Sequence, residues 1–168
     1  GITSVAYLSA LSGRIPFVNF FDGFRTSHEY NKVPLLNMDK VKKLIDKKAL
    51  DEFRNRSMNI DSPTTRGTNE GDSIYFQSVE ARNRFYNELP DVVNSYMEKI
   101  NEISGSSFKP FNYYGSKKAT RIIVAMGSIC STVRELLDKL NDEDLGLIEV
   151  HLYRPFSKKY FLDVLPRN

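Results

Sequence analysis

Five polar side chains that can bind or transfer charge follow a short aromatic run. Residues 17–21 are apolar and aromatic, and Asp22-Gly23 follows them as a turn. The polar side chains are Arg25, Thr26, Ser27, His28 and Glu29. Because ligands of α/β proteins bind beyond the carboxyl ends of strands, a strand ending here would present this group to a phosphate or carboxylate. The same residues suit a helix start, with Thr26 or Ser27 accepting from backbone amides and Glu29 in the first turn. Both interpretations stay open on chemistry alone.

A second candidate group lies in a long loop predicted over residues 59–73. This stretch is rich in turn-forming residues and nearly free of apolar side chains. Within it, the hydroxyls, the guanidinium and the free backbone amide of Thr65, Arg66, Gly67 and Thr68 can bind an anion. The alternative is a linker whose hydroxyls cap its own turns. Loops of this length in compact domains are either functional or linkers.

The third candidate is the turn Gly127-Ser128, which joins a predicted strand to a predicted helix. A helix N-terminus preceded by glycine can receive an anion. The turn lacks the glycines of a dinucleotide fingerprint and the lysine of a P-loop, so a tight turn capped by Ser128 or Ser131 is the alternative. Cys130 lies at the same helix start, where the helix dipole can lower the pKa of a thiol. No histidine is near it in sequence.

Hydrophobic periodicity predicts the elements that position these groups. Helices are expected over residues 2–11, 38–53, 79–89, 90–104, 129–140 and 157–165, and strands over 17–21, 121–126 and 145–153. Gly13 and Gly105 are expected to end helices, whereas Asn37, Pro90 and Ser157 are expected to begin them. The order strand, helix, strand, helix predicts a parallel pair with a right-handed crossover. The fold class is therefore α/β.

Composition excludes several classes of protein. Cys130 is the only cysteine, and His28 and His151 are the only histidines, so the chain supplies neither a disulfide framework nor a zinc or iron–sulfur ligand set. The net charge of +3 is small and the acids and bases are interspersed, which is too little by itself to support nucleic-acid binding. No apolar run approaches the roughly 20 residues of a membrane span. We expect a reducing compartment, and a chain that starts at Gly1 is expected to be an excised fragment or a processed product.

Several stretches resemble the pyruvate:ferredoxin oxidoreductase family in order and separation. They are residues 20–29, Thr65-Arg66-Gly67-Thr68, 89–97, 113–128 and 152–157. The resemblance covers nearly the whole chain. It implies parts of two α/β sandwich domains. Residues 1–73 would be the C-terminal part of a thiamine-pyrimidine-type domain plus linker, and residues 74–168 would be an incomplete domain resembling the transketolase C-terminal domain.

The resemblance also implies a function for the whole protein. It would oxidatively decarboxylate pyruvate to acetyl-CoA and pass electrons to ferredoxin, flavodoxin or an NADP reductase domain. Thiamine diphosphate, magnesium and iron–sulfur clusters are expected in the whole enzyme, none of them bound by this piece. The piece itself would have no catalytic residue and would serve as scaffold and domain interface.

The expected partners are the other domains of the polypeptide, pyruvate and coenzyme A, within a homodimer. The expected location is the cytoplasm or a reducing organelle such as a hydrogenosome. Three groups are expected to lie at an interface or bind an anion: Arg25 to Glu29, Thr65 to Thr68, and Gly127 with Ser128. The alternative function is a non-catalytic interaction domain of the same ancestry, such as the first domain of a sulfite reductase flavoprotein subunit.

Overall fold

A computed structural model describes residues 1–30, 32–61, 63 and 69–166. These residues form eight helices and three strands. The helices are α1 (Ile2–Gly13), α2 (Phe24–His28), α3 (Met38–Lys42), α4 (Lys47–Asn55), α5 (Asp72–Ala81), α6 (Asn83–Ser104), α7 (Ile129–Leu140) and α8 (Lys158–Val164). The strands are β1 (Phe111–Gly115), β2 (Arg121–Ala125) and β3 (Leu145–Val150).

The larger core forms where α1 packs along α6. Apolar residues of α6 recur every three or four positions and so share one face, which places Leu89, Val93 and Ile100 against Val5 and Leu8 of α1. These side chains are buried. Helix α1 belongs to the first predicted domain and α6 to the second. The two therefore share a core, and the division at residue 73 remains a prediction.

The sheet has the strand order β1-β3-β2. Strands β2 and β3 are parallel and pair Ile123 with Leu147, as the strand–helix–strand pattern predicts. Strand β1 is antiparallel to β3 and pairs Tyr114 with Leu147. No strand was predicted from the sequence over residues 111–115. Helices packed on a mixed sheet confirm the α/β class, whereas the likeness to transketolase remains a prediction.

Helices α7 and α8 cover opposite faces of this sheet. Val133 and Leu137 of α7 pack on Leu147 in a small second core. The ring of Phe161 in α8 meets that of Phe111 edge-on at 5.4 Å. Because side chains alternate along a strand, Phe111 of β1 points away from the face that Tyr114 shares with Leu147.

The strand predicted over residues 17–21 does not form. These residues are extended, but none of them belongs to the described sheet, and Val18, Phe20 and Phe21 are exposed. A strand is stabilised by a neighbouring strand rather than by its own composition, and all three described strands pair elsewhere. An aromatic run without a neighbour remains an extended segment.

The single helix predicted from Asn37 to Phe53 is two helices. Asn37 caps α3 as expected, since its side-chain oxygen accepts from the Lys40 amide at 3.1 Å. Asp46 then caps α4 by accepting from the Ala49 amide at 3.0 Å. Aspartate in mid-helix competes for backbone amides, so the periodic apolar pattern was wrongly extended through this second cap.

Pro90 lies inside α6 rather than at its start. Proline in a helix interior costs about 3 kcal/mol because it removes one backbone hydrogen bond. Here Pro90 and its neighbours Leu89 and Val93 are buried, and that burial compensates for the lost bond.

The break between helices lies at Arg82 instead, and α5 begins at Asp72, within the stretch predicted as loop. The predicted ends at Gly13 and Gly105 are confirmed.

Helix α8 begins at Ser157 as predicted and is tied to α6 through Asp91. The Tyr160 hydroxyl donates to Asp91 Oδ1 at 2.6 Å, and Lys159 Nζ lies 3.0 Å from the same oxygen. These bonds, Tyr160 first, lower the pKa of Asp91. Burial and the bond to Asp91 raise the pKa of Tyr160.

This contact is expected to stabilise α8 within a pH window. A lowered carboxylate pKa means that the Asp91 contribution is present at neutral pH and is lost as pH falls through the lowered pKa. A raised phenol pKa means that the Tyr160 contribution is lost as pH rises above the ordinary tyrosine value of about 10. We expect Tyr160→Phe to increase amide exchange in α8 at neutral pH and to weaken the dependence of that exchange on pH at both the acidic and the alkaline end. Tyr153→Phe should change neither the exchange nor its pH dependence. The same pH dependence of α8 exchange in Tyr160→Phe and in the parent would contradict this assignment.

Candidate functional site

The polar group that follows Asp22-Gly23 forms the short helix α2. The Ser27 hydroxyl donates to the carbonyl oxygens of Gly23 and Phe24, both at 3.2 Å. Nδ1 of His28 lies 2.9 Å from the Phe24 carbonyl oxygen, and the rings of His28 and Phe24 stack at 4.5 Å. Both polar side chains are thus engaged by their own helix. Glu29 follows the end of α2, so its expected place in a first helical turn is wrong.

Asp22 links this segment to the start of α7. One carboxylate oxygen accepts from the Ser128 amide at 3.1 Å, and the other accepts from the Ser128 hydroxyl at 2.6 Å. The side chain of Thr26 also hydrogen-bonds to Asp22. Asp22 therefore binds the N-cap residue of α7, which lies 106 residues further along the chain. The hydroxyl bond from Ser128, followed by the amide bond, lowers the pKa of Asp22.

Gly127 makes room for this carboxylate. Its φ is +79°, a left-handed conformation that favours glycine, and a Cβ atom here would lie 3.3 Å from Asp22 Oδ1. The hydroxyl of Ser131 donates to the Ser128 carbonyl at 2.8 Å, so neither serine caps α7 with its own side chain. The anion at this glycine-led helix start is the protein's own carboxylate.

The structure thus brings together part of the predicted site. Thr26, Gly127 and Ser128 meet at Asp22, while Ser27 and His28 bond within α2. Residues Thr65, Arg66, Gly67 and Thr68 lie outside the described residues, as does the side chain of Arg25. Sequence reasoning assigned Asp22 only to a turn. No local pattern indicates its role, because its partner is far away in sequence.

A second polar cluster joins α7 to the sheet. Glu149 of β3 is only 5% exposed, and Arg134 donates to it through both Nε, at 2.6 Å, and a terminal nitrogen. The Arg134 guanidinium also lies 4.9 Å from the centre of the Tyr114 ring, whose hydroxyl donates to Asp138 at 2.6 Å.

Burial, and then the charge of Glu149, raise the pKa of Cys130. The suggestion of a thiol activated by the helix dipole is therefore wrong.

Asp22→Asn is expected to loosen the first turn of α7 and to free residues 15–22. The amide retains one acceptor oxygen but loses the charge that favours a helix N-terminus. Because the pKa of Asp22 is lowered, its contribution is present at neutral pH and disappears as pH falls through that pKa. Hydrogen exchange at Ser128 and Ile129 should therefore be faster in the variant at pH 7 and equal to the parent in acid.

Asp39→Asn provides the matched control for this experiment. Asp39 is an exposed acid in the first turn of α3 and makes only an i,i+3 ion pair with Lys42. Its substitution should leave exchange in α7 unchanged. Identical exchange at Ser128 in Asp22→Asn and the parent at pH 7 would rule out the capping role.

The described residues contain no cluster of metal-binding side chains. Nowhere in this part of the chain do three His, Cys, Asp or Glu side chains lie close enough to hold a metal ion. The one glycine-led helix start predicted to bind an anion is filled by Asp22. Among the described residues, no helix is both long and apolar enough to cross a membrane.

Comparison with known proteins identifies the family of this α/β chain. A family model described as "Pyruvate flavodoxin/ferredoxin oxidoreductase, thiamine diP-bdg" matches residues 1–98. The chain is 51% identical to pyruvate-flavodoxin oxidoreductase of Klebsiella pneumoniae over 99% of its length. It is 44% identical to pyruvate:ferredoxin oxidoreductase of Moorella thermoacetica over 98% of its length. It is 42% identical to pyruvate dehydrogenase [NADP(+)] of Cryptosporidium parvum, again over 98%. The chain therefore belongs to the pyruvate flavodoxin/ferredoxin oxidoreductase family.

The chain spans only a small part of these relatives. It covers 14% of the Klebsiella and Moorella proteins and 9% of the Cryptosporidium protein. The resemblance found in the sequence is confirmed at this level. The matched family is described as thiamine diphosphate-binding, and the relatives are named for pyruvate and for their electron carriers.

Proposed function

We propose that the whole protein containing this chain oxidatively decarboxylates pyruvate to acetyl-CoA. One observation carries the proposal: the chain matches three differently named pyruvate oxidoreductases at 42–51% identity along nearly all of its length. Thiamine diphosphate supplies the chemistry of decarboxylation in such an enzyme, and the protein binds and orients the cofactor. Ferredoxin, flavodoxin or an NADP reductase domain would accept the electrons.

We propose that this chain contributes scaffold and domain interface. Two features support the role. The core between α1 and α6 joins the two predicted domains, 1–73 and 74–168, and Asp22 adds a second link by capping α7. A chain held together by such long-range contacts can position residues that lie elsewhere in the polypeptide. Thiamine diphosphate, magnesium and the iron–sulfur clusters would then be bound outside the described residues.

The exposed polar groups are proposed as the part of the scaffold that meets neighbouring domains or an anion. Asp22 ties the segment that precedes α2 to the start of α7, and Arg25 and Glu29 follow within that segment. Thr65 to Thr68 are proposed for the same role on the strength of the family resemblance. The other proposed partners are coenzyme A and a second subunit, in the cytoplasm or a reducing organelle.

Turnover by the full-length protein tests the proposal. Under anaerobic conditions, we expect a low-potential viologen dye to be reduced only when both pyruvate and coenzyme A are present, with acetyl-CoA as the product. Omission of either substrate is the control. Absence of turnover of any 2-oxo acid with viologen, ferredoxin, flavodoxin or NADP, in a preparation that contains its cofactors, would contradict it.

A further inference from the structure

Asp22 is followed by glycine, and this pair is the position of the chain most open to a backbone rearrangement. Asp22-Gly23 is the only Asp-Gly pair in the sequence, and both residues are exposed. The side chain of an aspartate can be attacked by the amide nitrogen of the next residue. Attack is easiest when that residue is glycine, because no Cβ atom hinders the approach and the backbone turns freely. A Cβ added at Gly23 would meet no atom within 4 Å, so no neighbouring group blocks this position either.

The rearrangement consists of a ring closure and a hydrolysis. The Gly23 nitrogen bonds to Cγ of Asp22 while the C–O bond of the protonated carboxyl group breaks, and the hydroxyl leaves as water with the amide proton. One water molecule then opens the cyclic succinimide. Addition at Cγ restores aspartate, whereas addition at the backbone carbonyl gives isoaspartate, whose main chain runs through Cγ. Nothing is oxidised or reduced.

The contact with Ser128 opposes the ring closure in geometry. One Asp22 oxygen accepts from the Ser128 amide at 3.1 Å, and the other accepts from the Ser128 hydroxyl at 2.6 Å. The side chain of Thr26 adds a further hydrogen bond. Ring closure must bring Cγ to bonding distance of the Gly23 nitrogen, which displaces both oxygens from Ser128. The hydrogen bonds to this charged group must therefore break before the reaction can begin.

The same contact opposes the reaction in chemistry. The hydroxyl bond from Ser128, followed by the amide bond, lowers the pKa of Asp22. An ionised carboxylate has no hydroxyl to lose as water. At neutral pH, a smaller fraction of Asp22 is therefore in the reactive form than of an aspartate without these partners.

The backbone of Gly23 is restrained as well. Its carbonyl oxygen accepts from the Ser27 amide at 3.1 Å and from the Ser27 hydroxyl at 3.2 Å. These bonds fix Gly23 at the start of α2. The peptide that would have to turn toward Cγ is thus held from the side of α2, while the carboxylate is held from the side of α7.

We propose that Asp22-Gly23 is a latent isoaspartate site and that the contact with Ser128 keeps it unreacted in the folded protein. Conversion would destroy the contact that prevents it. Isoaspartate adds one carbon atom to the main chain and transfers the carboxylate to a different carbon, so its oxygens no longer meet the Ser128 amide and hydroxyl. The link between residues 15–22 and the start of α7 would then be lost.

Isoaspartate formation in the full-length protein tests this proposal. After incubation at neutral pH, electron-transfer mass spectrometry distinguishes isoaspartate from aspartate in the peptide that contains Asp22. Ser128→Ala is expected to raise the rate about fivefold, because it removes one hydrogen bond to a charged group that water partly screens. Ser128→Thr retains the hydroxyl and should keep the parent rate. Equal rates in Ser128→Ala and the parent would overturn the proposal.

Ser131→Ala is the matched control for the first turn of α7. Its hydroxyl donates to the Ser128 carbonyl rather than to Asp22. Removing it should leave the rate at position 22 unchanged. An increase equal to that of Ser128→Ala would overturn the proposal, because loosening of the helix start alone would then explain the effect.

Two further measurements identify the reaction and remove the dependence on Ser128 variants. Gly23→Ala introduces a Cβ for which there is room, and that Cβ hinders attack on Asp22. Added to Ser128→Ala, it should reduce the isoaspartate at position 22, and an undiminished amount would overturn the assignment to Gly23. The parent should also react more slowly when folded than when unfolded in urea. Equal rates in these two states would overturn the proposal even if a variant failed to fold.

Discussion

Arg134→Ala is expected to destabilise the sheet and α7 by about 3 kcal/mol. The substitution leaves the carboxylate of Glu149 buried in β3 without its bidentate partner, and breaking such a pair costs about 3–5 kcal/mol. The low end applies because the Arg134 side chain is 42% exposed, so water screens part of the interaction. Amide exchange of β3 in the full-length protein measures the change as a free energy of local unfolding.

Two further variants separate the ion pair from general effects of altering α7. Lys139→Ala removes an exposed i,i+4 partner of Glu135 and should change stability by no more than about 0.5 kcal/mol. Arg134→Met combined with Glu149→Leu removes both charges and should recover most of the loss, because no buried charge remains unpaired. A loss below about 0.5 kcal/mol in Arg134→Ala would show that Glu149 does not depend on this contact.

Leu89→Ala is expected to destabilise the core between α1 and α6 by about 3 kcal/mol. Leu89 is fully buried at this contact, and its truncation leaves a cavity in addition to the lost apolar burial. Its methyl group packs on Gly13, where an added Cβ would lie only 2.4 Å from Leu89 Cδ1. Gly13→Ala alone should therefore overpack the contact and cost about 1–3 kcal/mol.

The double variant gives this prediction its sharpest test. Alanine at position 13 occupies part of the cavity that Leu89→Ala leaves. The double variant should therefore lose less stability than the sum of the losses in the two single variants. Glu88→Ala, at an exposed position next to Leu89, is the control and should be nearly neutral. Amide exchange in α1 and α6 measures the change in stability for the two single variants, the double variant and the Glu88→Ala control. Strict additivity would mean that Gly13 and Leu89 do not compete for the same space.

Local chemistry predicted the elements whose ends are marked by single residues. Gly105 ends α6 in the left-handed conformation, Asn37 caps α3 and Ser157 caps α8, each as expected from its residue type. Strand β2 and helix α7 were also predicted, because their apolar periodicity is unbroken. In these segments the local preference and the tertiary contacts agree.

Predictions failed where distant contacts decide the structure. The aromatic run 17–21 has strand composition but no neighbouring strand among the described residues. Pro90 continues a helix because its surroundings are buried, and Asp46 interrupts one because it can cap the next. The composition and the apolar periodicity of one segment do not indicate which distant residues will pack against it.

The candidate site residues remain predictions, and the sequence did not indicate which group lies at the turn Gly127-Ser128. At this turn the Ser128 amide donates to the carboxylate of Asp22. The contact between Asp22 and Ser128 depends on bringing together two segments 106 residues apart. No spacing rule covers that separation, so the sequence alone left the anion unassigned.

The intact mass of the native polypeptide, with its thiamine diphosphate and iron content, tests the central claim most directly. The claim is that this chain is a scaffold portion of a pyruvate oxidoreductase. A polypeptide several times heavier than 19.3 kDa that contains both thiamine diphosphate and iron is the expected result. A native protein of about this mass that contains neither would contradict the claim, and the family membership would then reflect ancestry without the activity.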